Sequence, residues 1–395
     1  MNGHAVPGQL DTLRRRGLAL GVLGLAACGL GALPSPEQFF RSWLFALLFW
    51  LGIAIGCQSV LMIQHLTGGL WGLVIRRILE AASRTLRYAW VLFVPLAFGL
   101  PHVFVWANHD ALASDHHLHQ AVSRKAEYLN APFFLGRAAF YFAVWAVLAH
   151  LLSRWSAEQD RGFSPRLAGR LRGLSGGGLL LMGLTITFSA VDWGMSLDPR
   201  WFSTIYGVLF MVGQALSAIA FSIVILAWLS ALPSLARAVS ARVMHDLGKL
   251  LFAFVMLWAY VNLSQFLIVW SGNLPEEIPW YILRLSGGWQ LIAGLLVIAH
   301  FALPFLMLLS RDVKRNASML AAVASGLLLM RLLDLFWLVG PELHARGLAV
   351  HWLDLAATLG IGGLWVHLFA RELAASPLLP VGDPELAEAI AGAGR

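Results

Sequence analysis

The sequence predicts an all-α integral membrane protein of about ten transmembrane helices, on three observations. Of its residues 59% are hydrophobic and only 12% charged, with a mean hydropathy of +0.72, which is too apolar for a water-soluble fold. Apolar runs recur at the length that crosses ~30 Å of hydrocarbon as a helix. Basic residues gather in alternate connections between those runs, the asymmetry that sets topology in a bilayer.

In chain order the runs fall near 17–33, 39–66, 87–107, 132–153, 176–198, 201–229, 247–271, 287–310, 317–340 and 352–373. The first follows Arg14, Arg15 and Arg16 and is trailed by Pro34-Ser35-Pro36. It has no small-residue cleavage site and reads as a retained helix. Ten spans put both termini on one side. On that side lie Arg76, Arg77, Arg84 and Arg87, read as loop residues, and the loop carrying Arg154, Arg161, Arg166, Arg170 and Arg172. Arg237, Arg242, Lys249, Arg311, Lys314, Arg315, Arg371 and Arg395 join them. Opposite are Arg41, Arg124, Lys125, Arg200, Arg284 and Arg346, with exposed Glu276 and Glu277. The positive-inside rule therefore predicts cytoplasmic termini. The net charge of +7 resides in these connections, so nucleic-acid binding is not predicted.

Ionisable residues inside spans are costly and mark candidate sites. Thr185, Ser189, Asp192 and Ser196 recur at spacings of four, three and four, which places them on one helix stripe. Asp192 is thus the residue to explain. His102, Arg137 and the i,i+3 pair Arg331 and Asp334 share its half of the membrane, with Tyr141 four residues after Arg137. Together they suggest the wall of a polar cavity, against the alternative that they are buried ion pairs fixing helix packing. Toward the cytoplasmic half lie Gln58 and His65, seven apart on one face, and His150; His245, Asp246 and Lys249 open another span. These would feed protons inward or merely snorkel. Tyr260, Asn262, Ser264 and Gln265 give one span a polar centre.

Other features point to less. Cys28 and Cys57 both sit in apolar runs and supply neither a disulfide framework nor an iron–sulfur ligand set. His116-His117-x-His119 has no fixed helical spacing and no fourth ligand, so it reads as a solvated loop and no metal is assigned. Gly17, Gly21 and Gly24, like Gly52 and Gly56, have the spacing of close helix packing.

Several long motifs in fixed order carry a resemblance. They are Phe188-Ser-Ala-Val-Asp192-Trp193-Gly-Met-Ser-Leu-Asp198-Pro199-x-Trp201-x-Ser-Thr-Ile-Tyr-Gly207, His245-Asp246-Leu-Gly-Lys249-Leu, Ser271-Gly-Asn-Leu-Pro-Glu276-Glu277-Ile-Pro-Trp-Tyr and Met330-Arg331-Leu-Leu-Asp334-Leu-Phe-Trp337. This set resembles the second NrfD-type integral membrane subunit of bacterial alternative complex III, the ActF-like subunit. The likeness spans nearly the whole membrane region and is weakest in the His-rich loop and the C-terminal tail.

The resemblance implies an NrfD-like core of two four-helix bundles, 39–198 and 199–340, flanked by 1–38 and 341–395. It implies a multi-pass subunit of the bacterial inner membrane in a respiratory quinol:cytochrome c oxidoreductase complex. Partners would be a homologous NrfD-type subunit, an outer iron–sulfur subunit and cytochrome c subunits. Iron–sulfur clusters and haem c would then reside in those partners and none in this chain. Quinol or menaquinol is the ligand to consider, and proton-conducting half-channels are the contribution implied. Asp192 would be the leading proton carrier, with His102 and Asp334 secondary, Arg137 and Arg331 their charge partners, and His65, Tyr260, His245, Asp246 and Lys249 along the route. Two other classes fit the same charges: a secondary transporter binding a substrate at mid-membrane, and a passive scaffold for redox subunits.

Overall fold

A computed structural model describes residues 8–232, 235, 238–344, 347–380, 382–384 and 386. Arg237, Arg346 and Arg395 of the charge tally lie outside them. Every regular element among the described residues is helical. Nine helices there are long and apolar enough to cross a membrane. They are α1 (Gly8–Ala32), α2 (Pro36–Thr67), α8 (Ala131–Gln159), α9 (Pro165–Trp193), α10 (Tyr206–Leu229), α11 (Ala241–Gly272), α13 (Trp289–Leu309), α15 (Ala317–Leu343) and α16 (Trp352–Ala374). Several outrun their apolar runs, α9 beginning at Pro165 and α11 at Ala241, and side-chain caps mark helix starts. Asn130 Oδ1 accepts from Phe133 N at 3.0 Å to start α8, Asn316 caps α15, and His351 with Asp354 forms a capping box on α16.

The expected span at 87–107 is not one continuous helix. It comprises α4 (Ala89–Phe98), a break at Gly99, α5 (Leu100–Val103) and a 3₁₀ turn at Val105–Ala107. Pro95 removes a donor inside α4, and Pro101 starts α5. Gly99 lies where a Cβ would strike the Phe40 ring. The segment still runs along α2: Trp43 Nε1 donates to Leu92 O at 2.8 Å, and His102 stacks on Phe40.

The stretch before it also departs from the expectation of a loop. Leu70–Arg84 is a helix, α3, buried at every residue from Gly72 onward. It folds back against α2 and is enclosed by α8, α10, α11 and α16. Arg76, Arg77 and Arg84 are therefore interior residues, and Arg87 is partly covered. Short helices α6 (His109–Ser114), α7 (His116–Ser123), α12 (Ile278–Arg284) and α14 (Arg311–Arg315) occupy the connections.

α2 is the hub, touching α3, α4, α9, α10, α15 and α16. α8 packs on α9, while α10 packs on α11 and α15, with α13 against α15. α1 lies along α16 through a glycine seam: a Cβ on Gly24 would stand 2.5 Å from Gly360 Cα, and one on Gly21 would stand 2.7 Å from Leu364 N. Only glycine lets two backbones approach so closely.

Candidate functional site

Asp192, near the C-terminal end of α9, is fully buried. Thr185, Ser189 and Ser196 of the same stripe are buried with it, so the stripe faces protein. From α8, Arg137 donates Nε to Asp192 Oδ2 at 2.9 Å and Nη2 to Oδ1 at 2.8 Å. One helical turn on, Tyr141 Oη donates to Oδ2 at 2.8 Å. Arg137 Nη1 reaches Tyr128 O at 2.9 Å, and its guanidinium lies 3.7 Å from the Tyr128 ring centre. Trp145 Nε1 donates to Thr185 Oγ1 at 2.9 Å, and Trp106 Nε1 to Ser196 Oγ at 3.2 Å. The geometry is a forked, charge-assisted pair with its remaining polar atoms largely satisfied. The polar cavity expected around Asp192 is filled by Arg137 and Tyr141.

A second charged pair lies across the bundle. Arg331 and Asp334 of α15, three residues apart, form an ion pair. Trp258 Nε1 on α11 donates to Asp334 Oδ2 at 3.0 Å, while Asp334 Oδ1 has no protein donor. The Arg331 guanidinium occupies the space a side chain at Gly213 of α10 would need. His300 on α13 is fully buried, its ring centred 4.0 Å from that of Trp258, with neither nitrogen partnered by protein. It sits in a π-helical stretch, Leu296–Ala302, an irregularity frequent at functional sites.

Between the pairs, Ser189 and Trp193 of α9 face Gln214 of α10 and Gly52 of α2 across a gap of about 10 Å³. That is about one water-sized probe sphere. Two of the residues lining it carry a buried polar atom without a protein partner, Trp193 Nε1 and Gln214 Oε1.

At the end carrying the Arg-rich connection, α3 presents Glu80, fully buried. Arg77 Nη1 donates to Glu80 Oε2 at 2.6 Å, and Ser156 Oγ to Oε1 at 2.6 Å. Arg76 and Arg84 each approach it at 3.4 Å. Arg77 also pairs with Asp160, Arg76 with Asp383, and Arg87 with Glu372. Burial pushes the Glu80 carboxyl up, but the three guanidiniums and the Ser156 hydroxyl outweigh it and hold it down at about 2. His65 joins this cluster through Arg76, Nη2 to Nδ1 at 3.4 Å.

The remaining sequence candidates stand apart from these clusters. His102 is exposed and stacked on Phe40. Tyr260 is 68% exposed on the flank of α11. Lys249 pairs with Asp246 at 3.1 Å on an exposed edge beside partly buried His245. Facing the opposite end, Arg284 is buried, with Nη1 3.0 Å from Glu342 Oε1 and Nη2 2.6 Å from Leu338 O. Glu276 is exposed and Glu277 half-buried. Trp201 stacks on Trp280, centres 4.8 Å apart, which seats the 272–286 connection over the turn after α9.

Sequence reasoning missed Glu80, His300 and Arg284. His300 was findable by the rule that flagged Asp192, an ionisable group inside an apolar run. Glu80 carried a weaker signal as the lone acid among four arginines. Among the described residues no three His, Cys, Asp or Glu side chains gather as a metal-ligand set. Compared with known protein families and curated proteins, the chain matches no family model and no curated sequence.

Proposed function

We propose that this chain is a proton-conducting membrane subunit of a quinol:electron-acceptor oxidoreductase complex of the bacterial inner membrane, with both termini cytoplasmic. The observation that carries the reading is the pair of buried ionic sites, Asp192 with Arg137 and Arg331 with Asp334, with a small gap bordered by Trp193 and Gln214, each holding a buried polar atom without a protein partner. A structural bundle does not need two carboxylates at membrane depth, each costly to desolvate. A proton route does. In this role Asp192 takes and releases the proton, Tyr141 and Arg137 orient its oxygens, and Asp334 receives on the other side of Gln214. Glu80, His65 and the Arg76 to Arg84 cluster form one cytoplasmic mouth, with His245, Asp246 and Lys249 at the start of α11 as a separate one.

The motif resemblance supplies the assembly: an NrfD-like core of two four-helix bundles, beside a homologous subunit, with iron–sulfur clusters and haem c in outer partners that accept the electrons. Quinol oxidation releases two electrons and two protons, and a chain without a redox group contributes quinol binding, proton paths or support.

A passive scaffold is the second reading. It is favoured by the closed geometry of the Arg137 to Asp192 fork, since satisfied pairs also fix packing.

The assembly is tested by purifying the chain alone and with its co-purifying partners, and recording visible spectra, iron content and quinol-dependent cytochrome c reduction. Activity and haem confined to the assembly are expected. Haem, iron or quinol oxidation in stoichiometric amount in the lone chain would overturn the reading.

A further inference from the structure

A slot of about 190 Å³ lies between α2, α4 and α16. Leu47, Leu51, Leu92, Leu364, Trp365 and Leu368 wall it, and Tyr88 and Arg371 stand at one end. It opens on the flank of the bundle past Val91, which is 50% exposed. Leu364, Leu368 and Arg371 are spaced four and three apart, on one face of α16, so the slot runs inward from Arg371 for about 10 Å along the helix axis. Arg371 is in the last turn of α16, about 28 Å along the axis from the exposed Trp352 at its start. Hydrocarbon spans ~30 Å. The slot therefore begins at headgroup depth and leads toward the acyl chains.

The mouth has more guanidinium donors than protein acceptors. Arg371 Nη2 donates to Tyr88 Oη at 3.0 Å and to Glu372 Oε1 at 3.1 Å, while Arg87 Nη2 donates to Glu372 Oε2 at 3.0 Å. Two guanidiniums thus share one carboxylate. The Arg371 side chain is 44% exposed, and its Nε and Nη1 meet no acceptor among the described residues. In the adjoining interior, by contrast, Arg76, Arg77 and Arg84 are answered by Asp383, Asp160 and Glu80. One turn before Arg371, His367 Nδ1 lies 3.0 Å from Arg14 O and seats the start of α1 at the same end. There Arg14 and Arg15 share Asp11, and the exposed Arg16 has no partner among the described residues.

An apolar slot ending in unanswered guanidiniums at headgroup depth suits a molecule with a hydrocarbon chain and an anionic, acceptor-rich head. A phosphodiester supplies the acceptors in the geometry a guanidinium matches. A head that also carries an ammonium brings a cation to a mouth already in surplus, and an uncharged head leaves the charge unanswered.

We propose that this slot binds an anionic phospholipid, its phosphodiester on Arg371 with Arg87 and Tyr88 beside it, and one acyl chain lying along Leu368 and Leu364. The site depends on neither the redox assembly nor the proton route.

The test uses the purified full chain, stripped of native lipid in a neutral detergent and titrated with phosphatidylglycerol and with phosphatidylcholine of identical acyl chains, bound lipid being counted by native mass spectrometry. Phosphatidylglycerol is expected to bind at least about fivefold tighter, the worth of one arginine near an anionic headgroup. Arg371→Gln should erase most of that preference while leaving Glu372 its Arg87 partner. Val91→Trp, which fills the slot from its exposed wall, should weaken both lipids. Arg154→Gln removes another exposed arginine with its own carboxylate partner, Glu158, and should leave the preference unchanged. Equal affinity for the two lipids, a preference that survives Arg371→Gln or falls equally in Arg154→Gln, or binding indifferent to Val91→Trp overturns the proposal. So does displacement of the lipid by inorganic phosphate at constant ionic strength, which would make the mouth a site for a soluble anion.

Discussion

Arg137 and Asp192 meet as a two-pronged fork, Nε to Oδ2 at 2.9 Å and Nη2 to Oδ1 at 2.8 Å, although 55 residues separate them in the chain. Removing either partner leaves a buried charge uncompensated, at a cost of about 3–5 kcal/mol. Arg137→Leu should therefore lower stability by that order, while Arg137→Leu with Asp192→Leu should lower it by less than either single change. Unfolding of the purified chain, followed through all three variants, checks this; simple additivity would mean that the fork contributes no coupling.

Glu80 predicts an acid limit. Its carboxyl is held at about 2 in the folded chain against an ordinary 4.5, so the folded state favours the charged form. The stability this gives is complete above about 4.5 and is lost as pH falls toward about 2. Glu80→Gln should remove about 3–5 kcal/mol at neutral pH by leaving Arg76, Arg77 and Arg84 short of a counter-charge, and should flatten the acid dependence in that window. Thermal unfolding from pH 6 down to pH 3 provides the readout; a variant with the parent's acid profile would remove Glu80 from its cause.

Topology is directly measurable because Cys28 and Cys57 are both buried and give little background. With intact cells, an impermeant maleimide should label Glu276→Cys and spare Arg166→Cys. The reverse pattern would invert the orientation and place the Asp192 end in the cytoplasm.

How far the sequence reaches is seen residue by residue. Thr185, Ser189, Asp192 and Ser196 were legible as one stripe because helical periodicity is local, and all four are buried together. Arg331 and Asp334 were legible for the same reason at i,i+3. What Asp192 touches was not, since the meeting of α8 and α9 is tertiary. α3 was hidden by its composition: four arginines between 76 and 87 depress the hydropathy, so the segment resembles a loop. Its burial depends on the ends of α2, α8 and α16 closing over it, and on Glu80, Asp160 and Glu372 answering the charges. The break at Gly99 needed the Phe40 ring that occupies its side-chain space. Tyr260 showed the opposite failure, a polar residue at the centre of a span that faces outward rather than into the charged interior.

The account stands on Asp192 as a proton carrier. In the purified assembly, Asp192→Asn, whose amide oxygen still accepts from Arg137, should lower heat stability yet leave the subunits and haem content intact at growth temperature, while quinol:acceptor turnover, or proton movement per electron, falls at least about tenfold, within the range a positioned acid or base contributes. A carboxylate that only fixes packing would instead lose assembled complex in step with activity. Parent-level turnover and proton coupling in an intact Asp192→Asn complex would contradict the account.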